Sequence, residues 1–191
     1  MRVNTRDKTG LPLKKGLKVG EIAEKIRIDG EGRLFVDGIP ALILTRSFLA
    51  LIQQTMEELV GERGAALIFY RAGFRGGYNL AKSLKAYGLK PPAILQACLH
   101  TASLRGWGVF GVAELDLKKP KVDVVVRASP AEELKGRNKP ACHLICGFIA
   151  GIMQYLAEMC GKNVKIRGTE KKCIAKGDQY CEIVAEPPHA S

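Results

Sequence analysis

The chain has 191 residues, 47% hydrophobic and 26% charged, with 30 Lys+Arg against 19 Asp+Glu for a formal net charge of +11. That length suits one domain, or one domain with a tail, and the composition excludes a wholly disordered chain. No apolar run approaches the ~20 residues that cross a bilayer, and no apolar stretch opens the chain as a signal peptide would, so a cytoplasmic protein without a membrane span is expected.

Residues 1–20 are basic and Gly-rich and read as an N-terminal arm whose order depends on docking. Residues 21–43 read as an N-terminal hairpin that offers a dimer-forming element. Within it, residues 25–37 suggest two short strands around the turn Asp29-Gly30-Glu31-Gly32. Residues 44–186 form the main domain, and 187–191 a tail. From Ser47, a plausible N-cap, Phe48, Leu51, Ile52, Leu59 and Val60 fall at helical spacing, with Gly61 as the end. A second helix is expected over 64–86, with Phe69, Tyr70, Gly73, Gly77, Leu80 and Leu84 on one broad face. Glycines cost a helix roughly 1 kcal/mol each relative to Ala. A pair one turn apart therefore points to a close backbone approach, with a kinked or broken helix as the alternative.

Gly88 to Pro92 breaks the chain, and a third helix follows over 93–104. Residues 107–115 and 122–127 read as strands, the Val124-Val125-Val126 run being strongly strand-forming. Residues 129–140 read as a loop with one short polar turn. An apolar helix containing Gly147 and Gly151 is expected over 141–160 and ends at Gly161. Residues 164–166 and 182–185 are the last strand candidates. This order is segregated α+β, helices packed on a small antiparallel sheet, and not alternating βαβ.

Six cysteines carry the chemistry. In a cytosolic chain, clustered thiols read as metal or redox sites before disulfides. Glu170, Cys173 and Cys181 follow the pattern Glu-x2-Cys-x7-Cys, and Gly177-Asp178 can reverse the chain between the thiols, which makes a compact C-terminal metal-binding hairpin. Zinc takes four N, S or O ligands in a tetrahedron. The fourth must come from elsewhere: Cys142 and Cys146 lie one turn apart at the start of the long helix, and His143 is a weaker candidate. Four protein ligands would close the site and make the metal structural. Free thiols, a Cys173–Cys181 disulfide and an iron–sulfur centre are the alternatives. Cys98 and Cys160 sit among apolar residues and read as buried packing thiols.

Three segments together resemble the 4-vinyl reductase (hydrocarbon-binding) domain family. The family is also found as the aromatic-sensing domain of phenol- and xylene-responsive sigma-54-dependent activators, and is distantly similar to TRAPP subunits. Gly61 to Gly77 looks like the family's helix with paired glycines. Cys142-His-Leu-Ile-Cys146-Gly147, continued to Gly151, looks like its Cys-x4-Gly-x3-Gly motif. Glu170 to Cys181 looks like its terminal metal hairpin. The resemblance covers residues 44–186. It implies zinc held by Cys142, Glu170, Cys173 and Cys181, with Cys146 as substitute for Cys142. It also implies a cavity for a small apolar molecule, and a homodimer. In the phenol sensors a His and a Trp hold the ligand hydroxyl. Here His100 looks like the His position, while the Trp is replaced within residues 124–126, which suggests a more apolar guest. Trp107 and Phe110 are further candidates for the cavity wall.

Gly106, Gly108 and Gly111 match G-x-G-x-x-G, but a helix precedes and a strand follows, the reverse of what phosphate binding at a helix N-terminus needs. No P-loop and no Ser or Cys triad pattern appears. The basic residues do not interleave with aromatics, which argues against a nucleic-acid partner. The expected function is a stand-alone zinc-containing module that binds a small hydrophobic molecule, aromatic, hydrocarbon or lipid-like. It would be a sensor or carrier rather than a catalyst, passing any output to a protein partner. The alternatives are a tetrapyrrole vinyl reductase or its accessory factor, and a basic nucleic-acid or assembly adaptor.

Overall fold

The computed structural model describes residues 23–36 and 38–188. The basic arm, residues 21, 22 and 37 of the hairpin segment and the last three residues of the tail lie outside the described residues. Strands β1 (Ile26–Ile28) and β2 (Leu34–Val36) pair antiparallel. The turn between them closes on Asp29, whose carboxylate accepts from the backbone N–H groups of Glu31 and Arg33 at 3.0 and 2.9 Å. A third short strand, β3 (Ile39–Pro40), adds to β2 and extends the expected pair.

Helix α1 (Arg46–Lys85) merges the two helices expected from the sequence. Thr45 caps it, its Oγ1 accepting from the Phe48 N–H at 3.2 Å, so Ser47 lies inside the first turn and is not the cap. Gly61, at φ 75° and ψ 161°, leaves helical geometry in mid-run. It is a joint between two helical halves. Helix α2 (Pro91–Leu104) opens on Pro91, whose missing N–H has no helical partner to lose at that position.

Helix α3 (His143–Met159) lies against the second half of α1 at backbone distance. A Cβ built on Gly73 would stand 2.0 Å from the Leu144 carbonyl oxygen, and one on Gly147 2.0 Å from that of Tyr70. Gly77 and Gly151 meet Phe148 and Phe74 in the same reciprocal way. The glycines that cost helix propensity are those that let the two helices touch.

Four antiparallel strands form the second sheet in the order β4 (Val109–Asp116), β5 (Lys121–Arg127), β7 (Cys181–Glu186), β6 (Arg167–Lys172). Val122, Val124 and Val126 pair with Ala185, Ile183 and Cys181. All six are fully buried and share one core with Ile149, Ile152 and Leu156 of α3 and Ile94, Leu95 and Cys98 of α2. Period-2 alternation puts the whole set on one face. The architecture is α+β, helices packed on small antiparallel sheets.

The strand expected at 164–166 begins at Arg167 instead. The Gln154 side chain donates to the Val164 carbonyl at 3.0 Å and accepts from the Ile166 N–H at 2.8 Å. An α3 side chain thus takes the backbone groups a ladder would use. β6 itself is charged and lies at the sheet edge, where such residues guard against further pairing. Its register slips between Glu170 and Lys172, so two steps on β6 match one on β7. This bulge inverts the inside–outside alternation. Glu170 points inward, Lys172 outward to pair with Glu182 at 3.0 Å, and Cys173 is again fully buried.

Candidate metal centre and adjoining pocket

Three separate stretches supply the site. Cys142 occupies the N-cap position of α3, Glu170 the inner face of β6, and Cys173 and Cys181 flank a tight reversal. A short 3-10 turn (Ile174–Lys176) ends on Gly177 at φ 102°, a left-handed conformation that glycine adopts without steric cost. The Asp178 carboxylate accepts from the Cys173 N–H at 2.8 Å and fixes the loop. One ligand atom from each of Cys142, Glu170, Cys173 and Cys181 lies within 4.8 Å of every other. Cys146 and His143 are outside this group. Cys146 packs its sulfur toward Gly168, where a Cβ would meet it at 3.0 Å.

The electrostatics of this group are unbalanced. Glu170 Oε2 accepts from the Cys142 N–H at 3.3 Å, while its Oε1 is buried with no partner among the described residues. Burial, and then the negative charge available on Cys173, pushes the Glu170 carboxyl up to about 8. Cys142 is raised well above the ordinary thiol range by its hydrogen bonds to Cys173 and Cys181 and by burial. Cys181 is held well below that range by the thiols of Cys142 and Cys173. A buried orphan carboxylate oxygen facing three sulfurs is costly unless a cation compensates it. The donor set, one carboxylate and three sulfurs at tetrahedral number, fits such an ion.

All six cysteines are free. Cys98 is buried as expected and burial alone raises its thiol to about 12. Cys160, expected inside, is exposed at the end of α3, because the helix stops one residue before it.

A pocket adjoins this cluster and shares Cys142 with it. Leu49 and Gln53 of α1, Phe69 beyond the Gly61 joint, Trp107 and Leu134 form much of the remaining wall. It holds about 420 Å³ of empty space, mouth included, yet a water centre fits in only about 30 Å³ of it. A ring-sized guest must therefore part the side chains. Of the residues expected to hold a ligand, Trp107 lines the pocket and packs edge-on against Phe148 with ring centroids 5.3 Å apart. Phe110 is half-buried in the core and is not part of the wall. His100 is exposed on α2 and does not line the pocket.

Two contributors escaped the sequence reading. Ser129 is fully buried and its hydroxyl lies 3.2 Å from Cys181 Sγ and 3.7 Å from Cys142 Sγ. The same oxygen accepts from the Ala131 N–H at 3.3 Å and caps the 3-10 turn (Pro130–Leu134) that walls the pocket. The Ser-Pro pair marked a turn, but nothing in the sequence aims it at the thiols. The second is Gln53, a buried amide of α1 in the pocket wall.

A family model described as a domain of unknown function (DUF5943) matches residues 23–113. The phenol regulator MopR of Acinetobacter guillouiae is 24% identical over 187 residues, covering 92% of this chain. The chain spans about a third, 32%, of that regulator's length. The phenol-responsive sensory domain of the transcription activator PoxR, solved with phenol, superimposes with a TM-score of 0.73 at 18% identity, over 88% of this chain and 87% of that one. A vinyl-4-reductase family protein from Methanocaldococcus jannaschii gives a TM-score of 0.53 at 15% identity, over 78% and 84% of the two chains. The chain therefore shares its fold with a phenol-responsive sensory domain and with a vinyl-4-reductase family protein.

Proposed function

We propose that this chain is a zinc-stabilised module that binds a small hydrophobic molecule, a sensor or carrier rather than a catalyst. The observation that carries the reading is the position of Cys142, which belongs both to the four-residue cluster and to the pocket wall. Cys142, Glu170, Cys173 and Cys181 would hold the ion. Four protein ligands leave no open coordination position, so the metal would supply structure and no reactive water. Its role would be to fasten the β6–β7 hairpin to the start of α3. The pocket is concave and largely apolar, the usual form of a small-molecule site. The solved PoxR domain holds phenol, which supports an aromatic guest of that size.

A homodimer is part of the proposal. Leu42, Ile43 and Leu44 on the segment that leads into α1, and Phe48 and Leu51 on its first two turns, are all exposed, Leu42 to 85%. An apolar patch of this kind marks an interaction surface. Cytoplasmic location and output through a protein partner complete the reading.

Native mass spectrometry of the full chain tests it. One zinc per chain is expected, lost in Cys173→Ser and in Cys181→Ser. Retention of zinc by both variants would refute the metal assignment. Failure of Trp107 fluorescence to respond to phenol, toluene or any comparable one-ring compound would refute the pocket.

A further inference from the structure

Beyond the Gly61 joint, α1 has two unlike sides. Ala65, Phe69, Gly73, Gly77 and Ala81 turn inward and are buried. The opposite side carries Arg63, Leu67, Arg71 and Arg75 at i, i+4 spacing, which stacks them in one row, with Lys82 two turns further on. All five are exposed, and Ile68 flanks the row. Leu67 and Ile68 leave 56% and 44% of their surface to solvent. No Asp or Glu occurs between Glu62 and Glu114 in the sequence. Among the described residues no carboxylate forms an ion pair with Arg63, Arg71, Arg75 or Lys82. Glu62, at the start of the row, is taken by Lys139. Glu158, at the end of α3, accepts from Tyr78 at 2.7 Å and from Gln154 at 2.9 Å.

The segment that leaves α3 adds to this charge. Tyr155 of α3 meets Tyr78 of α1 with ring centroids 5.3 Å apart, and the chain then returns along α1 until the Gly168 N–H donates to Tyr70 at 2.9 Å. On the way it exposes Lys162, Lys165 and Arg167. A second copy of the chain suits such a face poorly, since a two-fold contact would set Arg71 and Arg75 against their own copies. A nucleic acid uses the cations for its phosphates but offers nothing to bare aliphatic side chains. An anionic lipid surface uses both kinds of group: aliphatic side chains enter the headgroup boundary, while Arg and Lys extend their stems to the phosphates.

We propose that this side of α1 docks the protein on an anionic lipid bilayer, with Leu67 and Ile68 entering the headgroup boundary and Arg71, Arg75 and Lys82 reaching lipid phosphates. The contact is peripheral, since no helix of the described residues is long and apolar enough to cross a membrane. It stands apart from the pocket and the metal centre, and the Gly61 joint separates it from the apolar patch of Phe48 and Leu51.

The full chain is sedimented with vesicles of phosphatidylcholine alone, and with vesicles of phosphatidylcholine and phosphatidylserine in equal parts, near physiological salt. It should pellet with the second and stay in solution with the first. Each basic residue near an anionic surface strengthens binding roughly fivefold, so Arg71→Gln with Arg75→Gln should weaken it about 25-fold. Leu67→Gln with Ile68→Gln should weaken it about tenfold through lost apolar burial. Lys118→Gln with Lys119→Gln removes the same charge from the exposed β4–β5 turn and should change binding less than about twofold. All six side chains are exposed, so each variant should keep the circular dichroism of the wild type. No pelleting with the anionic vesicles overturns the inference. So does an equal loss in the Lys118 and Lys119 variant, which would reduce the effect to net charge. Undiminished binding in the Leu67 and Ile68 variant overturns it in favour of a plain polyanion. A dimer that the same variant turns to monomer in light scattering overturns it in favour of a second copy.

Discussion

Gly76 and Gly77 are adjacent in α1, yet replacing each with Ala should move stability in opposite directions. Gly76 is exposed, and a Cβ there meets nothing within 4 Å. Ala in a helix interior gains about 1 kcal/mol over Gly. A Cβ on Gly77 would stand 2.1 Å from the Phe148 carbonyl oxygen and 2.9 Å from its carbon. Ordinary contact begins near 3.4 Å, so α3 must move away by more than 1 Å. The obstacle is backbone, which cannot rotate aside, and the displacement also opens the seam at Gly73, Gly147 and Gly151. Overpacking typically costs about 1–3 kcal/mol, and the upper end applies here, offset by the gain of about 1 kcal/mol in helix propensity. For a chain of this size each kcal/mol moves Tm by about 2–4 °C. Gly76→Ala should thus melt about 2–4 °C above the wild type and Gly77→Ala about 4–8 °C below it, read by circular dichroism. Gly77→Ala melting as high as Gly76→Ala would refute the backbone seam.

Ser129→Ala removes the hydroxyl that touches Cys181 and caps the Pro130–Leu134 turn. Stability should fall by about 1–2 kcal/mol, as for a lost cap, with zinc stoichiometry by native mass spectrometry unchanged. Glu57→Gln breaks the contacts to Arg137 and Lys139. Because the folded carboxyl titrates below its ordinary 4.5, its contribution is present above that pH and lost as pH falls through the folded value. The wild-type advantage over Glu57→Gln in urea unfolding, on the order of 1 kcal/mol at neutral pH, should shrink below pH 4.5; an advantage that grows in acid would contradict the ion pair. Leu51→Glu charges a residue that is 55% exposed in the apolar patch. Light scattering should show a dimer turned to a monomer, while a wild type already monomeric would remove the dimer from the proposal.

Much of the fold was legible because it follows local rules. The alternating valines of β5 and the paired glycines of α1 and α3 announce a buried strand and a close helix contact. β6 was misplaced because Arg167 to Lys172 has neither hydrophobic alternation nor β-branched content beyond Thr169. It becomes a strand only by borrowing the backbone of β7. The expected start of α1 lies two residues late because Thr45 and Ser47 are both good caps, and only the geometry at Phe48 chooses between them. Glu170, Cys173 and Cys181 stood out through spacing, but their union with Cys142 needs the α3 N-terminus brought to the hairpin, which no local pattern encodes. The exposure of His100 could have been seen. Ile94, Leu95, Cys98, Leu99 and Ala102 form the inward stripe of α2, and His100 falls outside it. The pocket was illegible for the opposite reason, since its wall comes from four stretches that share no motif.

The unwound peptide at Gly61 divides one long rod into two levers with separate duties. The shorter lever, from Arg46 to Val60, is tied outward: the Arg46 guanidinium grips Glu132 at 3.0 Å and the Ala128 carbonyl at 2.5 Å, and Glu57 grips Arg137. The longer lever is welded to α3 through its glycines. Under the binding function proposed above, a guest that wedged Leu49 and Gln53 apart from Phe69 would load the pivot between them and leave the glycine weld closed. The exposed Phe48 and Leu51 ride on the same short lever as Leu49 and Gln53, so any tilt of that lever would move the apolar patch with the pocket wall.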